Sequence, residues 1–367
     1  MNQYSDPAKT SRRDLLAKFQ PRTVPGPDTG RSVVPDVPVG RSTVRLSARA
    51  MACDFAVIMN PSESIDVEAA GQSLDLIGEI EGWLSPYRAA SEISRINREA
   101  AESAYRVRGD FFELLQQCAE LWEQTQHGFD PAAGALNNIW RLARKQGRIP
   151  EQSEIDRALS CSGFQHVQLN AEQQSISFLR RGLQLDPGAI GKGYALDQAG
   201  LWLREHGEPE RGFLLHGGHS SLLAFGGHAE YSGWPVGLGN PLLTEKRMAT
   251  VLLKNQAMGT SGSNIQFFRH AGERMGHILD PQTGWPVKGM LSVTVFADSA
   301  AVADALSTAF FVMGMEKAVE CCQRMADIAA ILVPFPQQGV QLRPAVVGSR
   351  EVEIWWDDRQ VRVDYNR

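Results

Sequence analysis

A turn near the middle of the chain, residues 185–197, combines three glycines, a lysine and two carboxylates. It reads Leu-Asp-Pro-Gly-Ala-Ile-Gly-Lys-Gly-Tyr-Ala-Leu-Asp and lies between an apolar run and a helical pattern. Glycine lets a backbone pass close to a ligand, the N-terminus of the next helix attracts anions, and lysine adds a mobile cation. The segment therefore fits a phosphate cradle, although it also fits a tight strand-to-helix turn with a solvated lysine. Its spacing is neither that of a P-loop nor that of a dinucleotide-binding fingerprint.

A second candidate site lies at Asp304 and Thr308, which are four residues apart and would share one face of a helix. Their carboxylate and hydroxyl could join backbone carbonyls in a hard, all-oxygen site. Mg²⁺ prefers such ligands and keeps waters or substrate phosphates in the rest of its shell. The alternative interpretation is that Asp304 faces solvent while Thr308 packs in the core.

Three shorter motifs also carry polar groups near turns. Residues 277–286 form an Asp-Pro, Thr-Gly turn that presents His277, residues 260–262 read Thr-Ser-Gly, and residues 85–97 form a loop with Tyr87 that enters a short helix capped at Ser91. The first is typical of a rigid turn, the second could hold a phosphate, and the third could stack on a flat ring. Each also has a structural interpretation without a ligand: an ordinary turn for 277–286, no bound group at 260–262, and a half-buried ring for Tyr87.

The overall composition excludes several classes of protein. The 367 residues are 43% hydrophobic and carry a net charge of −5, too weak and too acidic to recruit nucleic acid or an anionic membrane. No apolar run reaches the roughly 18 residues of a membrane-spanning helix. The five cysteines form neither a disulfide framework nor a zinc pattern, and Cys118 and Cys322 fit a helical core, which favours a reducing compartment. There is no Gly-x-Ser-x-Gly elbow, HExxH or CxxC motif.

The first forty residues differ from the rest of the chain. Ser11-Arg12-Arg13 resembles a twin-arginine export signal, but no apolar segment follows it. Six prolines between positions 7 and 38 argue against regular structure. We therefore predict a flexible arm over 1–40 and a cytoplasmic protein; a periplasmic location, and an arm docked on a partner protein, are the alternatives.

Beyond the arm, hydrophobic periodicity predicts an α+β fold. Alternating residues predict a hairpin or two adjacent strands over 44–59. Apolar residues three and four apart predict helices over 67–84, 110–126, 189–206 and 299–313. A shorter helix over 153–159 has a capping box at Ser153 and Asp156. Strands cluster over 213–253 and recur near 292–296, 327–333 and 352–364. Because strands and helices do not alternate regularly, the pattern favours α+β over a doubly wound sheet.

Seven stretches, taken in order, resemble the ApbE family, the FAD:protein FMN transferases. They are 85–97, Phe-Asp-Pro-Ala-Ala-Gly-Ala-Leu at 129–136, 186–197, Gly217-Gly218-His219, 260–262, His-Ile-Leu-Asp-Pro-Gln-Thr-Gly at 277–284, and Ala-Asp-Ala-Leu-Ser-Thr-Ala at 303–309. The resemblance covers about 45–335. It implies a T-fold-like mixed architecture of largely antiparallel sheets with packed helices. The flavin transferase domain would span 41–335, as one body or two intertwined lobes, and strands in 336–367 would complete it.

The resemblance also implies a function: Mg²⁺-dependent transfer of FMN from the substrate FAD to a threonine of an acceptor protein, with release of AMP. The implied metal ligands are Gly191, Asp304, Ser307 and Thr308. The implied catalytic residues are His277, Asp186 and Lys192, and His277 suits acid–base work near neutral pH. The implied contacts with FAD are Met51, Tyr87, Asp130, Gly188, Ala189, Ile190, Lys192, Gly217, Gly218, Thr260, Ser261, Gly262 and His277.

The chain departs from the family pattern around the expected cofactor pocket. Met51-Ala52-Cys53 stands where Met-Gly-Thr is usual, Ala189 and Gly191 are exchanged relative to the common order, and His219 replaces an aspartate. Asn264 and Gln266 replace a tyrosine and an arginine. These changes leave three alternatives open: an FAD pyrophosphatase that yields FMN and AMP, a non-catalytic FAD-binding protein, and a chain that is itself flavinylated at the acceptor-like motif 304–308.

Overall fold

The computed structural model describes residues 42–61, 67–207, 212–229, 231–263, 267–356, 361 and 363–366. The predicted arm over 1–40 and the departures at Asn264 and Gln266 lie outside the described residues. Within the described part of the chain, none of the helices has the length and apolar character needed to cross a membrane.

The main sheet has nine strands. In spatial order they are β1 (Val44–Ala50), β2 (Cys53–Met59), β6 (Phe213–Gly217), β7 (Ser221–Phe225), β10 (Gln256–Gly262), β13 (Met290–Ala297), β14 (Ala329–Pro334), β15 (Ala345–Gly348) and β17 (Asp364–Asn366). Neighbouring strands are antiparallel except β15 and β17, which run parallel. The predicted hairpin over 44–59 is confirmed, and its register pairs Ala50 with Cys53 across a two-residue turn.

Three smaller sheets surround the main one. The first holds β16 (Glu353–Trp356), β9 (Arg247–Leu253) and β8 (Trp234–Gly239), and the second holds β3 (Tyr105–Arg106), β5 (Ser175–Phe178) and β4 (Val167–Asn170). The third is the hairpin of β11 (Phe267–His270) and β12 (Glu273–Gly276). With its predominantly antiparallel sheets and packed helices, the described chain has the α+β architecture that the sequence predicts.

Seven helices pack around these sheets in the described residues. They are α1 (Val67–Leu84), α2 (Glu92–Glu99), α3 (Gly109–Gln124), α4 (Gly134–Lys145), α5 (Gln152–Ser160), α6 (Gly191–His206) and α7 (Ala300–Arg324). Helix α7 is longer than predicted and includes a kink at Gly314, whose φ is 74°. The capping box of α5 uses Glu151 and Glu154, so its assignment to Ser153 and Asp156 was wrong. The helix starts one residue earlier than predicted, which moves the capping positions.

The main sheet separates two hydrophobic cores because successive side chains of a strand point to opposite faces. On β13, Val295 belongs to the core beneath the helices, whereas its neighbour Phe296 belongs to the core facing the β8–β9–β16 sheet. Helices α6 and α7 lie on the first face, against strands β6, β7, β10 and β13. The predicted functional residues of α6, α7 and β10 thereby meet on one side of the sheet.

Candidate active site

Two helices frame the site, and Asp197 joins them. Its carboxylate, near the middle of α6, accepts hydrogen bonds from the backbone N–H groups of Ala300 (2.7 Å) and Ala301 (2.9 Å) and from the hydroxyl of Ser299 (2.7 Å). Those N–H groups begin α7 and have no partners within the helix. Asp197 is partly buried, and this burial raises its pKa to about 6. The start of α7 is therefore fixed to the helix that carries Lys192.

Two glycines allow α7 to approach its neighbours closely. A Cβ atom on Gly193 would lie 2.1 Å from the carbonyl oxygen of Ala300, and a Cβ atom on Gly259 of β10 would lie 2.4 Å from the carbonyl carbon of Ala303. Any larger residue would push backbone away, because neither contact is with a flexible side chain. The close packing of α6 and β10 against α7 brings Asp304 into the space between them.

Asp304 is buried, with 5% of its surface exposed, so the interpretation that it faces solvent was wrong. Its carboxylate accepts hydrogen bonds from the hydroxyl of Ser221, at 2.7 and 2.8 Å, and from the N–H of Gly193 at 2.9 Å. The ammonium of Lys192 lies 3.6 Å from Oδ2. Burial raises the pKa of Asp304, while Lys192 and the hydrogen bonds from Ser221 and Gly193 act against that shift.

A group of hydroxyls lies one turn further along α7. The hydroxyl of Ser261, on β10, is 2.9 Å from that of Ser307 and 3.1 Å from that of Thr308. Ser307 and Thr308 both donate to the backbone carbonyl of Asp304, at 2.9 and 3.3 Å. Asp304 and Thr308 both line the same cavity, so the prediction that they share a helix face is confirmed. The hydroxyls of Ser261, Ser307 and Thr308 form an all-oxygen cluster around the backbone carbonyl of Asp304.

This cluster lies in the wall of a cavity of about 1220 Å³. Sixteen of the predicted site residues line it: Met51, Tyr87, Asp130, Asp186, Gly188, Ala189, Gly191, Lys192, Gly218, Thr260, Ser261, Gly262, His277, Asp304, Ser307 and Thr308. Ile190 and Gly217 are not in the lining: Ile190 is buried in the core at the start of α6, and Gly217 packs against Phe55. Residues from well-separated stretches of sequence thus meet around one space.

Asp186, which also lines the cavity, is held by two hydrogen bonds. The amide of Asn137, on α4, donates to Asp186 Oδ2 at 2.9 Å, and the N–H of Gly188 donates to Oδ1 at 2.9 Å. The guanidinium of Arg141 lies 5.1 Å from the centre of the Tyr87 ring. Tyr87 is 69% exposed rather than half-buried, so one face of a flat ring is available at the mouth of the cavity.

Asp130 lines the cavity and binds two backbone N–H groups. Its two carboxylate oxygens accept hydrogen bonds from the N–H groups of Ala132 (2.8 Å) and Phe164 (3.3 Å). Burial raises the pKa of Asp130 to about 6. Asp130 therefore holds together the loop that precedes α4, and its predicted contact with FAD stays a prediction.

The histidines His277 and His219 of the site are exposed. His277 lines the cavity just before the predicted rigid turn, which the structure confirms: the N–H of Gln282 donates to Asp280 Oδ1, and the N–H of Gly284 donates to the Asp280 carbonyl, both at 2.8 Å. His219, one of the departures from the family pattern, also lines the cavity. The acid–base role assigned to His277 stays a prediction.

Three residues that orient the site were not assigned from the sequence: Ser221, Asn137 and Asp197. Asp197 lies within the glycine-rich turn motif, so its position was visible while its role as a cap for α7 was not. Ser221 and Asn137 have no sequence signal of their own, because each acts through a partner that is 83 and 49 residues away, respectively.

The fold brings the glycine-rich turn, Lys192 and Asp304 to the wall of one large cavity. A profile of the ApbE family matches residues 48–332. The chain is 30% identical to the FAD:protein FMN transferase of Klebsiella pneumoniae (strain 342) over 273 residues, covering 74% of this chain and 83% of that protein. It is also 30% identical to the FAD:protein FMN transferase of Treponema pallidum (strain Nichols), covering 74% and 78%. The chain belongs to the ApbE family.

Solved structures agree with this assignment. The ApbE protein of Thermotoga maritima superposes with a TM-score of 0.73 at 28% identity, covering 80% of this chain and 94% of that one. The apo form of the Pseudomonas stutzeri flavinyl transferase ApbE superposes with a TM-score of 0.72 at 26% identity, covering 83% and 95%. The ApbE-like fold expected from the sequence is therefore the fold of this chain.

Proposed function

We propose that this protein is a Mg²⁺-dependent FAD:protein FMN transferase that moves FMN from FAD to a threonine of an acceptor protein and releases AMP. The observation that carries the proposal is that Asp304, Ser307, Thr308 and Lys192 line one cavity of about 1220 Å³, with the Lys192 ammonium 3.6 Å from the Asp304 carboxylate. A cavity of this size is ample for a dinucleotide. The names of the K. pneumoniae and T. pallidum relatives support the same activity.

The donor set fits magnesium. Among the described residues, no group of three or more His, Cys, Asp and Glu side chains could hold a metal ion, so a site here depends on one carboxylate together with hydroxyls. Mg²⁺ is commonly bound by one or two carboxylates, with substrate phosphates completing its shell. Asp304, Ser307 and Thr308 would hold it, with Gly191 as the fourth proposed ligand. Bound there, the ion would neutralise charge on the diphosphate of FAD.

The residues of the chain would then position FAD and move a proton. Lys192 and the glycine turn before α6 would steady the diphosphate, and Tyr87 would contact a flat ring. In the reaction, the threonine oxygen of the acceptor bonds to the phosphorus of FMN while the bond from that phosphorus to AMP breaks. The threonine proton passes to a base, for which His277 and Asp186 are the candidates in the cavity. Positioning and charge neutralisation carry most of the rate in phosphoryl transfer.

The test combines purified protein, FAD, Mg²⁺ and an acceptor protein that bears a flavinylation threonine. We expect a fluorescent, covalently flavinylated acceptor band and an equimolar amount of AMP. Asp304→Ala should lower the rate by about 100-fold or more, because the site would lose the carboxylate that holds the charge-neutralising ion. Asp75→Ala, at an exposed position on α1, is the matched control and should leave the rate unchanged.

The same assay separates the alternatives. Free FMN and AMP formed without an acceptor would identify a pyrophosphatase, and tight FAD binding with no AMP over hours would identify a non-catalytic binder. A flavin mass on the purified chain itself would identify a flavinylated carrier. Full transfer by Asp304→Ala would contradict the metal assignment. The cytoplasmic location also stays a proposal, to be checked by fractionating cells that express the full chain.

A further inference from the structure

We infer that Ser221 is a positioning residue for Asp304 and so sets the affinity of the site for its metal ion; this inference rests on the proposed function. Ser221 is the first residue of β7 and has none of its surface exposed to solvent. Its hydroxyl lies 2.7 Å from Oδ1 and 2.8 Å from Oδ2 of Asp304. The side chain touches the proposed ligand and would act through it.

The register of the main sheet explains why Ser221 meets Asp304. Ser221 pairs directly with Gly259 on β10. A Cβ atom on Gly259 would lie 2.6 Å from the backbone nitrogen of Asp304. Because Gly259 has no side chain, the backbone of α7 contacts the sheet at this position. The strand residue beside it therefore lies under Asp304. The alignment is a consequence of strand pairing and helix packing together.

The two carboxylate oxygens of Asp304 have different numbers of partners. Oδ2 also receives the N–H of Gly193 at 2.9 Å and faces the ammonium of Lys192 at 3.6 Å, whereas Ser221 is the donor to Oδ1 among the hydrogen bonds of the described residues. Without the serine hydroxyl, Oδ1 would lose that donor and the carboxylate could turn about its Cβ–Cγ bond. A ligand that can turn binds a metal less well, because ordering it costs entropy.

Partners that orient a metal ligand are worth about 10- to 100-fold in metal affinity. We therefore expect Ser221→Ala to raise the Kd for Mn²⁺, a spectroscopic substitute for Mg²⁺, by about that factor. Ser221→Cys keeps a side chain of similar size with only a weak donor and should give an intermediate Kd. Excess metal should restore most of the transfer rate of Ser221→Ala, because the reacting groups are unchanged.

A matched control separates positioning from general destabilisation. Ser73, on α1, is also fully buried, and its hydroxyl donates to the carbonyl of Ala70 at 2.8 Å. Ser73→Ala therefore loses a buried serine hydrogen bond far along the sequence from Asp304. It should leave the Kd for Mn²⁺ at its wild-type value, whatever its effect on the melting temperature.

The experiment titrates Mn²⁺ into the full-length protein with FAD and without acceptor, and measures free Mn²⁺ by electron paramagnetic resonance. Wild-type affinity in Ser221→Ala, or an equal loss in Ser73→Ala, would overturn the inference. Wild-type affinity in Asp304→Ala would overturn it too, because Ser221 would then have no ligand to position. If wild type binds Mn²⁺ through Asp304 but transfers no FMN, the proposed function fails while the role of Ser221 is still decided by its own variants.

Discussion

Asp197 accepts a hydrogen bond from the backbone N–H of Ala300 at 2.7 Å, and this contact joins the helix that carries Lys192 to the helix that carries Asp304. The two residues are 103 positions apart in the sequence. The hydrogen bonds to Asp197 hold α7 in place beside the cavity, because the start of α7 cannot move without breaking them.

Replacing Asp197 by alanine should destabilise the protein by about 2–3 kcal/mol, since two N–H groups and a hydroxyl would be left without their charged acceptor. Flavin transfer should fall as α7 loosens. Urea unfolding followed by circular dichroism measures the stability. The exposed Asp75, replaced by alanine, should change it by less than about 0.5 kcal/mol, and an equally stable Asp197→Ala would show that the cap is dispensable.

Gly193→Ala should destabilise the protein by about 3 kcal/mol or more and lower transfer at least about tenfold, because its Cβ would meet the backbone of Ala300 at 2.1 Å. Gly78→Ala is the matched helical control. Nothing lies within 4 Å of a Cβ there, so that change should stabilise α1 by roughly 0.5–1 kcal/mol. Calorimetric melting of both variants tests the pair, and a neutral Gly193→Ala would contradict the close packing of α6 on α7.

Ala52→Gly should stabilise the protein by roughly 0.5–1 kcal/mol. Met51 and Ala52 turn the β1–β2 hairpin with φ angles of 49° and 60°, a left-handed conformation that costs an L-residue about 1–2 kcal/mol. Glycine adopts it freely, which outweighs its larger entropy in the unfolded chain. Thermal melting measures the gain. Ala52→Val should be destabilising in the same assay; if glycine is no more stable than alanine, the turn is not strained.

The partly buried carboxylate of Asp130 should make the free energy of unfolding fall as pH rises. Its pKa is raised from 3.8 to about 6 in the folded protein, so the folded state binds the proton more tightly than the unfolded state. The contribution of Asp130 is complete below its unfolded pKa and is lost as pH rises through about 6. Between about pH 4.5 and 7.5 the loss amounts to about 2 kcal/mol.

The measurement is the free energy of urea unfolding at several pH values for wild type and Asp130→Asn. The difference between the two curves isolates this group, because Asp197 and the other titrating residues are common to both. We expect the free energy of unfolding of Asp130→Asn, compared with that of wild type at the same pH, to be more favourable to the variant at pH 7.5 than at pH 4.5. A difference that is constant with pH would mean that Asp130 keeps its ordinary pKa in the folded chain.

Much of this fold follows from local patterns in the sequence. The alternation over 44–59 predicted the β1–β2 hairpin, and the spacing of Asp304 and Thr308 placed them on one helix face, as observed in the lining of the cavity. The cap of α2 is equally local, because the hydroxyl of Ser91 accepts the N–H of Ser94, three residues on. Strand and helix periods are properties of a few consecutive residues, so such features can be recognised without knowing the rest of the fold. The seven motifs, by their order along the chain, are also enough to indicate the family.

The tertiary structure decided how those elements meet. The order of nine strands, the contact of Gly259 with α7, the hydrogen bond of Ser221 to Asp304 and the capping of α7 by Asp197 all join residues that are far apart in sequence. No local period encodes such a pairing, because it depends on which faces of distant elements can pack without leaving a void or a buried unpaired group. The sequence alone determined which residues could do chemistry, and packing determined which oxygen atoms stand next to one another.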